Sequence, residues 1–230
     1  KRNHMYISIY TKELNDNYDV LFDFFQKQNV VFCNFHMVSC VFKRHFKGNT
    51  CDPEKKEKFI LYSDDLNQMV KDINALKLNK IKVKQEESIY KFIGNYAFVM
   101  HNDKCIGILF QTNSCLSYIE TKVNGNKLHI GNIDTLLNLY FSMILMDIKE
   151  VNNPFIYHII GELNKIVNSF QKHVVSKSKT KKIMKRFHLP CLGTQEDFPQ
   201  ILRTRYRKYK ELKHNKTSVE YKKWFFKYTP

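Results

Sequence analysis

The sequence predicts an α+β fold: a mixed sheet with flanking helices, followed by a basic helical C-terminal segment. Three observations carry this. Apolar residues recur at helical spacing in some windows and alternate in others. Glycine and proline are scarce, at 7 and 5 in 230 residues, which disfavours a sandwich or propeller built on many tight turns. The charge is also split: Lys172 to Pro230 holds 17 Lys and Arg against 4 Asp and Glu, so +13 of the chain's +16 formal charge lies there.

Taken in order, Met5 to Tyr10 reads as a short strand. Tyr18 to Gln28 reads as a helix carrying Val20, Leu21, Phe24 and Phe25 on one side. Val30 to Phe42, rich in Val, Phe and Cys, reads as one or two buried strands, and Lys43 to Lys58 as a polar connection. Phe59 to Tyr62 is a strand. Ser63 then caps a helix to near Leu78, with Asp64 and Asp65 in its first turn and Leu66, Met69, Val70, Ile73 and Leu76 as its apolar stripe. Ile81 and Val83 alternate with lysines, as on an edge strand.

The clearest sheet signal follows. Tyr96 to Met100 and Cys105 to Gln111 flank His101 to Lys104. Cys115 to Val123 meets Lys127 to Ile130 across Asn124-Gly125, the pair favoured in a type I′ hairpin turn. Asn132 caps a helix with Ile133, Leu136, Leu137, Tyr140, Ile144 and Ile148 toward the core. Asn153-Pro154 restarts a helix with proline at its first position; Phe155, Ile159, Ile160, Leu163, Ile166, Val167 and Phe170 continue it. Lys172 to Arg186 is polar, basic and expected to be mobile. Two helices end the chain, Phe198 to Lys213, and Val219 to Lys227 behind the capping box Thr217-x-x-Glu220.

Composition bounds the function. Hydrophobic residues make up 43%, with 18 Phe and 13 Tyr, enough for a packed core and against global disorder. No apolar run reaches the roughly 18 residues a membrane span needs, and no signal peptide opens the chain; a soluble, non-secreted protein with no membrane partner is expected. The six cysteines form neither Cys-x-x-Cys nor a disulfide pattern, so they are expected to be reduced, small apolar residues in an intracellular compartment. The chain begins at Lys1 rather than methionine, which suggests an upstream part.

Nucleotidyl transfer needs two carboxylates on one strand face at D-x-D spacing to hold magnesium. The sequence has no D-x-D and no Gly-Ser dipeptide. Asp64-Asp65 suits a helix start, and Asp52-Pro53-Glu54 suits a surface turn. P-loop, G-x-G-x-x-G and G-x-S-x-G motifs are also missing. His36 reads as a core histidine, and His101 and His129 have no nucleophile at a telling spacing. No catalytic or metal-binding residue is assigned, and no cofactor is expected on this chain itself.

The C-terminal block is different. On one helix Arg203, Arg207 and Lys210 fall at i, i+4, i+7, flanked by Lys208 and Arg205, while Ile201, Leu202, Tyr206, Tyr209 and Leu212 are expected to pack on the other side. Lys181, Lys182, Lys185 and Arg186 precede it, and Lys222, Lys223 and Trp224 follow. Cations that meet phosphates beside aromatics that stack on bases point to RNA as the partner.

The stretches CLGTQEDFPQILRTRYRKYKELKHNKTSVEYKKWFFKYTP (Cys191 to Pro230), NYAFVMHNDKCIGILFQTNS (Asn95 to Ser114) and HIGNIDTLLNLYFSMIL (His129 to Leu145) resemble the C-terminal half of the poly(A) polymerase catalytic chains of large nucleocytoplasmic DNA viruses, the giant-virus and asfarvirus type related to the poxvirus enzyme. The resemblance runs from near Phe59 to the end. It implies a degenerate nucleotidyltransferase-like domain over residues 1–150 and a helical, basic RNA-binding region over 151–230 packed on it. It further implies a full-length enzyme that adds adenylates from ATP to mRNA 3′ ends with Mg or Mn, an upstream catalytic domain as a partner, a possible homodimer, and a place in the host cytoplasm or the virion. The Gly-Ser and D-x-D of that family's active site are absent here, so no catalytic residue is carried over. The alternatives are a non-catalytic RNA-binding or assembly subunit and, third, a homing-type DNA endonuclease, which the size and basicity fit but against which stands that no pair of apolar helices here ends in the acidic residues such nucleases use for metal.

Overall fold

Phe59–Ser63 is buried at every position. Successive side chains of a strand point to opposite faces, so a strand with no exposed position must lie in mid-sheet and be covered on both sides. The computed structural model, which describes residues 12–35, 37, 56–90, 92–123, 126–148, 153–175, 190–194 and 198–225, places it there. The strands are β1 (Val30–Phe32), β2 (Phe59–Ser63), β3 (Ile81–Glu86), β4 (Tyr96–His101), β5 (Lys104–Gln111), β6 (Leu116–Val123), β7 (Asn126–Gly131) and β8 (Cys191–Leu192). They form one mixed sheet in the order β3-β4-β5-β2-β1-β7-β6-β8. β2 runs parallel to β5 and antiparallel to β1, and β1 runs parallel to β7.

Helices α1 (Lys12–Gln26), α2 (Leu66–Ala75), α3 (Ile133–Leu145) and α4 (Asn153–Val175) accompany the sheet. α1 buries Leu14, Tyr18, Leu21 and Phe25, and its rings meet Phe59: Tyr18 stacks at 4.3 Å and Phe25 stands edge-on at 5.0 Å. In β2 the alternate positions, Ile60 and Tyr62, face the opposite layer, where Phe110 lies 5.7 Å from Tyr62 and Tyr96 continues the row at 5.9 Å from Phe110. Lys56 reaches the side chains of Asn15 and Asp19 from beside the Tyr18 ring, tying the approach to β2 onto α1.

Several expectations are corrected. β1 ends at Phe32, because Asn34 takes over as a side-chain strand partner: its amide donates to the Lys58 carbonyl, and its Oδ1 accepts from Ile60 N–H at 3.2 Å. Ser63 is the last residue of β2, and the cap of α2 is Asp65, which accepts from Gln68 N–H at 2.9 Å. Asn132 does cap α3, but the buried side of that helix is turned toward Leu139 and Met143. α4 continues to Val175, past Lys172. Ser218 rather than Thr217 caps the last helix. Cys115 and Cys191, expected to be reduced, form a disulfide across 76 residues with Cα atoms 5.4 Å apart; a pairing between residues so far apart in sequence depends on β6 and β8 meeting, which spacing alone does not reveal. Cys33 and Cys105 are buried and take no part in a disulfide.

β3 is the sheet edge that its alternating lysines predict. The β4–β5 and β6–β7 hairpins form as expected. Met5 to Tyr10, the Val38 to Phe42 end of the second stretch, and the Asn124-Gly125 turn lie outside the described residues. Among the described residues no helix is long and apolar enough to cross a membrane.

Candidate nucleic-acid interface

α5 (Phe198–Leu212) and α6 (Val219–Trp224) follow β8. α5 forms because FPQILRTRYRKYKEL has no glycine or β-branched run, and proline stands in its first turn, where no intrahelical N–H is lost. A turn through Asn215 then leads to Ser218, whose Oγ accepts from Tyr221 N–H at 3.1 Å and starts α6.

The two helices pack on each other through Tyr209, edge-on to Phe225 at 5.9 Å, and through Lys208, whose ammonium lies 5.7 Å from the Trp224 ring centre. No described side chain of either helix is fully buried. The expected burial of Ile201, Leu202, Tyr206 and Tyr209 is therefore overturned: Leu202 is 50% and Tyr206 62% exposed.

Each residue turns an α-helix by about 100°. Arg203, Arg207 and Lys210 thus form one exposed stripe, and Leu202, Tyr206 and Tyr209 form a second beside it. Lys210 spans the seam, its ammonium 4.6 Å from the Tyr206 ring centre. The placement of Arg205 beside this stripe is corrected: two residues on from Arg203, it points about 200° away. Lys208 is partly neutralised by Glu211 at 2.8 Å. The Lys208 hydrogen bond holds the Glu211 carboxyl below its usual range, and the Lys208 and Arg207 charges add to this. Arg203 donates to the Pro199 carbonyl at 3.2 Å, which keeps its guanidinium along the helix.

The structure therefore brings Arg203, Arg207 and Lys210 together, leaves Arg205 apart, and sets Lys222, Lys223 and Trp224 on α6. Lys222 is exposed, and the other two are partly covered. Lys181, Lys182, Lys185 and Arg186 lie outside the described residues. Sequence reasoning put Tyr206 in the core; the signal against that was its i, i+4 spacing to Lys210.

The carboxylates weighed for metal have other work. Asp65 caps α2, and Asp64 accepts from Thr112 Oγ1 at 2.9 Å. Asp52 and Glu54 lie outside the described residues. Among the described residues no group of three or more His, Cys, Asp or Glu is placed to hold a metal ion. His129 stacks on Tyr118 at 4.1 Å and stands 3.6 Å from Glu120, a surface cluster with no nucleophile.

No family model matches the chain, and no curated protein matches it. Among solved structures, the crystal structure of the Megavirus polyadenylate synthase superposes with a TM-score of 0.64 at 15% identity, covering 95% of this chain and 46% of that one. The chain thus spans under half the length of that protein. At this identity the likeness is one of fold.

Proposed function

We propose that this chain is the C-terminal region of a viral-type poly(A) polymerase that adds adenylates from ATP to mRNA 3′ ends, and that its own part is to hold RNA. The observation that carries this is the exposed seam on α5, where Arg203, Arg207 and Lys210 lie beside Tyr206 and Tyr209. Guanidinium and ammonium groups meet phosphates, and an open tyrosine face stacks on a base whatever its identity. The fold shared with a viral polyadenylate synthase supports the same reading. In this reading residues 1–150 form the nucleotidyltransferase-like domain and 151–230 the RNA-holding region. The metal chemistry, with Mg or Mn, belongs to an upstream catalytic domain, against which this region or a second copy of it packs. The enzyme works in the host cytoplasm or the virion.

A second reading, a non-catalytic RNA-binding or assembly subunit, is favoured by the absence of Gly-Ser and D-x-D from the sequence. One experiment separates them: the 230-residue chain and the full-length protein are each given ATP, magnesium and an oligo(A) primer, and oligo(A) binding is measured in parallel. Binding by the chain with extension only by the full-length protein is expected. Extension by neither leaves the subunit reading, extension by the chain alone overturns the assignment of chemistry elsewhere, and no salt-dependent oligo(A) binding removes the RNA role.

A further inference from the structure

β8 is two residues long and pairs with β6 at Leu116↔Leu192 and Ser117↔Cys191, with one further bond from Tyr118 N–H to the Pro190 carbonyl at 3.1 Å. So short a strand does not hold itself. Three features fix it. Leu192 is 2% exposed in the core. Gly193, at φ +94, lets the chain close onto Ser114, where a Cβ would stand 2.3 Å from the carbonyl oxygen. The Cys115–Cys191 disulfide supplies the covalent link.

The place of that link matters more than its presence. β8 is the last strand of the sheet in chain order, and the next elements are α5 and α6, neither of which buries a described side chain. Among the described residues, β8 is the sheet element from which the chain enters the C-terminal helical pair. Cys191 is exposed and Cys115 half-buried, so a reductant can reach the bond. The remaining described cysteines are buried, and burial pushes the Cys33 thiol far up, keeping it a protonated bystander.

We propose that Cys115–Cys191 is a thiol–disulfide exchange site, and that its state decides whether the segment leading into α5 and α6 is held on the sheet. The consequence for RNA rests on the function proposed above. The co-reactant is a dithiol. Its thiolate attacks the exposed Cys191 Sγ, forms a mixed disulfide and expels Cys115 as a thiolate, which takes up a proton. The second thiolate of the reductant then closes its own disulfide and releases Cys191, which is protonated in turn. Two electrons and two protons pass to the protein, and the reductant leaves oxidised. Reduced, β8 keeps its two residue pairs, the Tyr118–Pro190 hydrogen bond, the Gly193 turn and the Leu192 side chain, and loses its covalent link.

The test is hydrogen exchange read by mass spectrometry on the 230-residue chain, with and without dithiothreitol, beside oligo(A) titration of both forms. On reduction the amides of Leu116 to Tyr118 and of Cys191 and Leu192 are expected to exchange about ten-fold faster while β2 and β5 stay unchanged, as for the release of a local unit. The Cys115→Ser, Cys191→Ser double variant should exchange fast in both conditions. Equal exchange in the oxidised and reduced native chain overturns the proposal, as does iodoacetamide labelling of either cysteine before reductant is added. Oligo(A) affinity is expected to fall about three-fold or more on reduction, because the segment leading into the helical pair gains freedom that binding must remove. Equal affinity in the two forms overturns the link to RNA. If neither form binds oligo(A) while exchange still responds to reductant, the tether stands and the proposed function fails.

Discussion

The hydroxyl of Tyr140 donates to the backbone carbonyl of Cys33 at 2.7 Å, joining residues 107 apart in sequence, both completely buried. α3 is thereby fastened to the end of β1, where the ladder gives way to Asn34. The bond requires the neutral phenol. Burial, with the nearby Glu57 and Cys33 adding to it, pushes the Tyr140 hydroxyl well above the usual range, and burial does the same at Tyr18 and Tyr62.

A group whose proton is held more tightly in the folded state stabilises the fold fully below its unfolded value and loses that contribution as pH rises toward the folded one. The unfolded chain releases tyrosine protons near pH 10, so stability should fall above that pH by about 1.4 kcal/mol per pH unit for each such tyrosine. Thermal unfolding across pH 8 to 11 checks this, with pH values bracketing the ordinary tyrosine range of about 10. Tyr140→Phe should be less stable at neutral pH by about 1 kcal/mol, since its hydrogen bond is gone, with a shallower alkaline fall. Parallel pH curves for the two proteins would show that Tyr140 is not one of the groups responsible.

Asn34 is 3% exposed and satisfies both Lys58 C=O and Ile60 N–H. Asn34→Ala removes both bonds, leaves the buried Ile60 N–H without this acceptor, and should cost about 1 to 3 kcal/mol. Asn34→Asp keeps the acceptor for Ile60 but faces the Lys58 carbonyl with an anion, so it should be at least as damaging at neutral pH and partly recover as the carboxyl protonates in acid. Urea unfolding at two pH values reads both. An Asp variant insensitive to pH would contradict the proposed pairing.

These side-chain bridges mark the limit of what periodicity can show. The hairpins, the edge strand β3, the stripe of α2 and the start of α3 were all legible, because each rests on neighbours in sequence: alternation, i and i+4 spacing, or a cap three residues from its partner. The end of β1 at Phe32 depends on Asn34 meeting a strand beyond Lys58, and the disulfide depends on β8 returning to β6. Neither leaves a local pattern. The buried side of α3 includes Leu139 and Met143, and α3 packs on α4 as well as on the sheet, which spacing within one helix does not show. The cationic stripe of α5 was readable from spacing, whereas the exposure of its tyrosines was not: amphipathic spacing shows that a face could be buried, and only the tertiary arrangement shows whether anything covers it.

Asn132 illustrates the local kind of information. Its Oδ1 accepts from Thr135 N–H at 2.9 Å, while Thr135 Oγ1 donates to the Ser117 carbonyl at 2.8 Å. The cap therefore also secures α3 to β6. Asn132→Ala should cost about 1 to 2 kcal/mol, the upper part of the capping range, because the site is buried. Asn132→Ser should restore most of it. Equal loss in the Ala and Ser variants, by denaturant midpoint, would mean the amide acts by packing and not as an acceptor.

The stripe on α5 makes the sharpest functional prediction, since its cations differ in position and not in charge. Arg203→Ala, Arg207→Ala and Lys210→Ala combined should reduce the slope of log affinity against log salt for oligo(A) by about 0.7 for each phosphate left without its cation, hence about 2 in all. Arg205→Ala removes the same charge from the opposite side of the helix and should leave the slope nearly unchanged. Tyr206→Ala should weaken binding by about 1 to 3 kcal/mol with the slope intact, as removal of a stacking face does. Helix content by circular dichroism controls for unfolding of α5 in each variant. If Arg205→Ala flattens the slope as much as any single change within the stripe, the helix attracts RNA by net charge alone, and the seam between Lys210 and Tyr206 has no part in placing it.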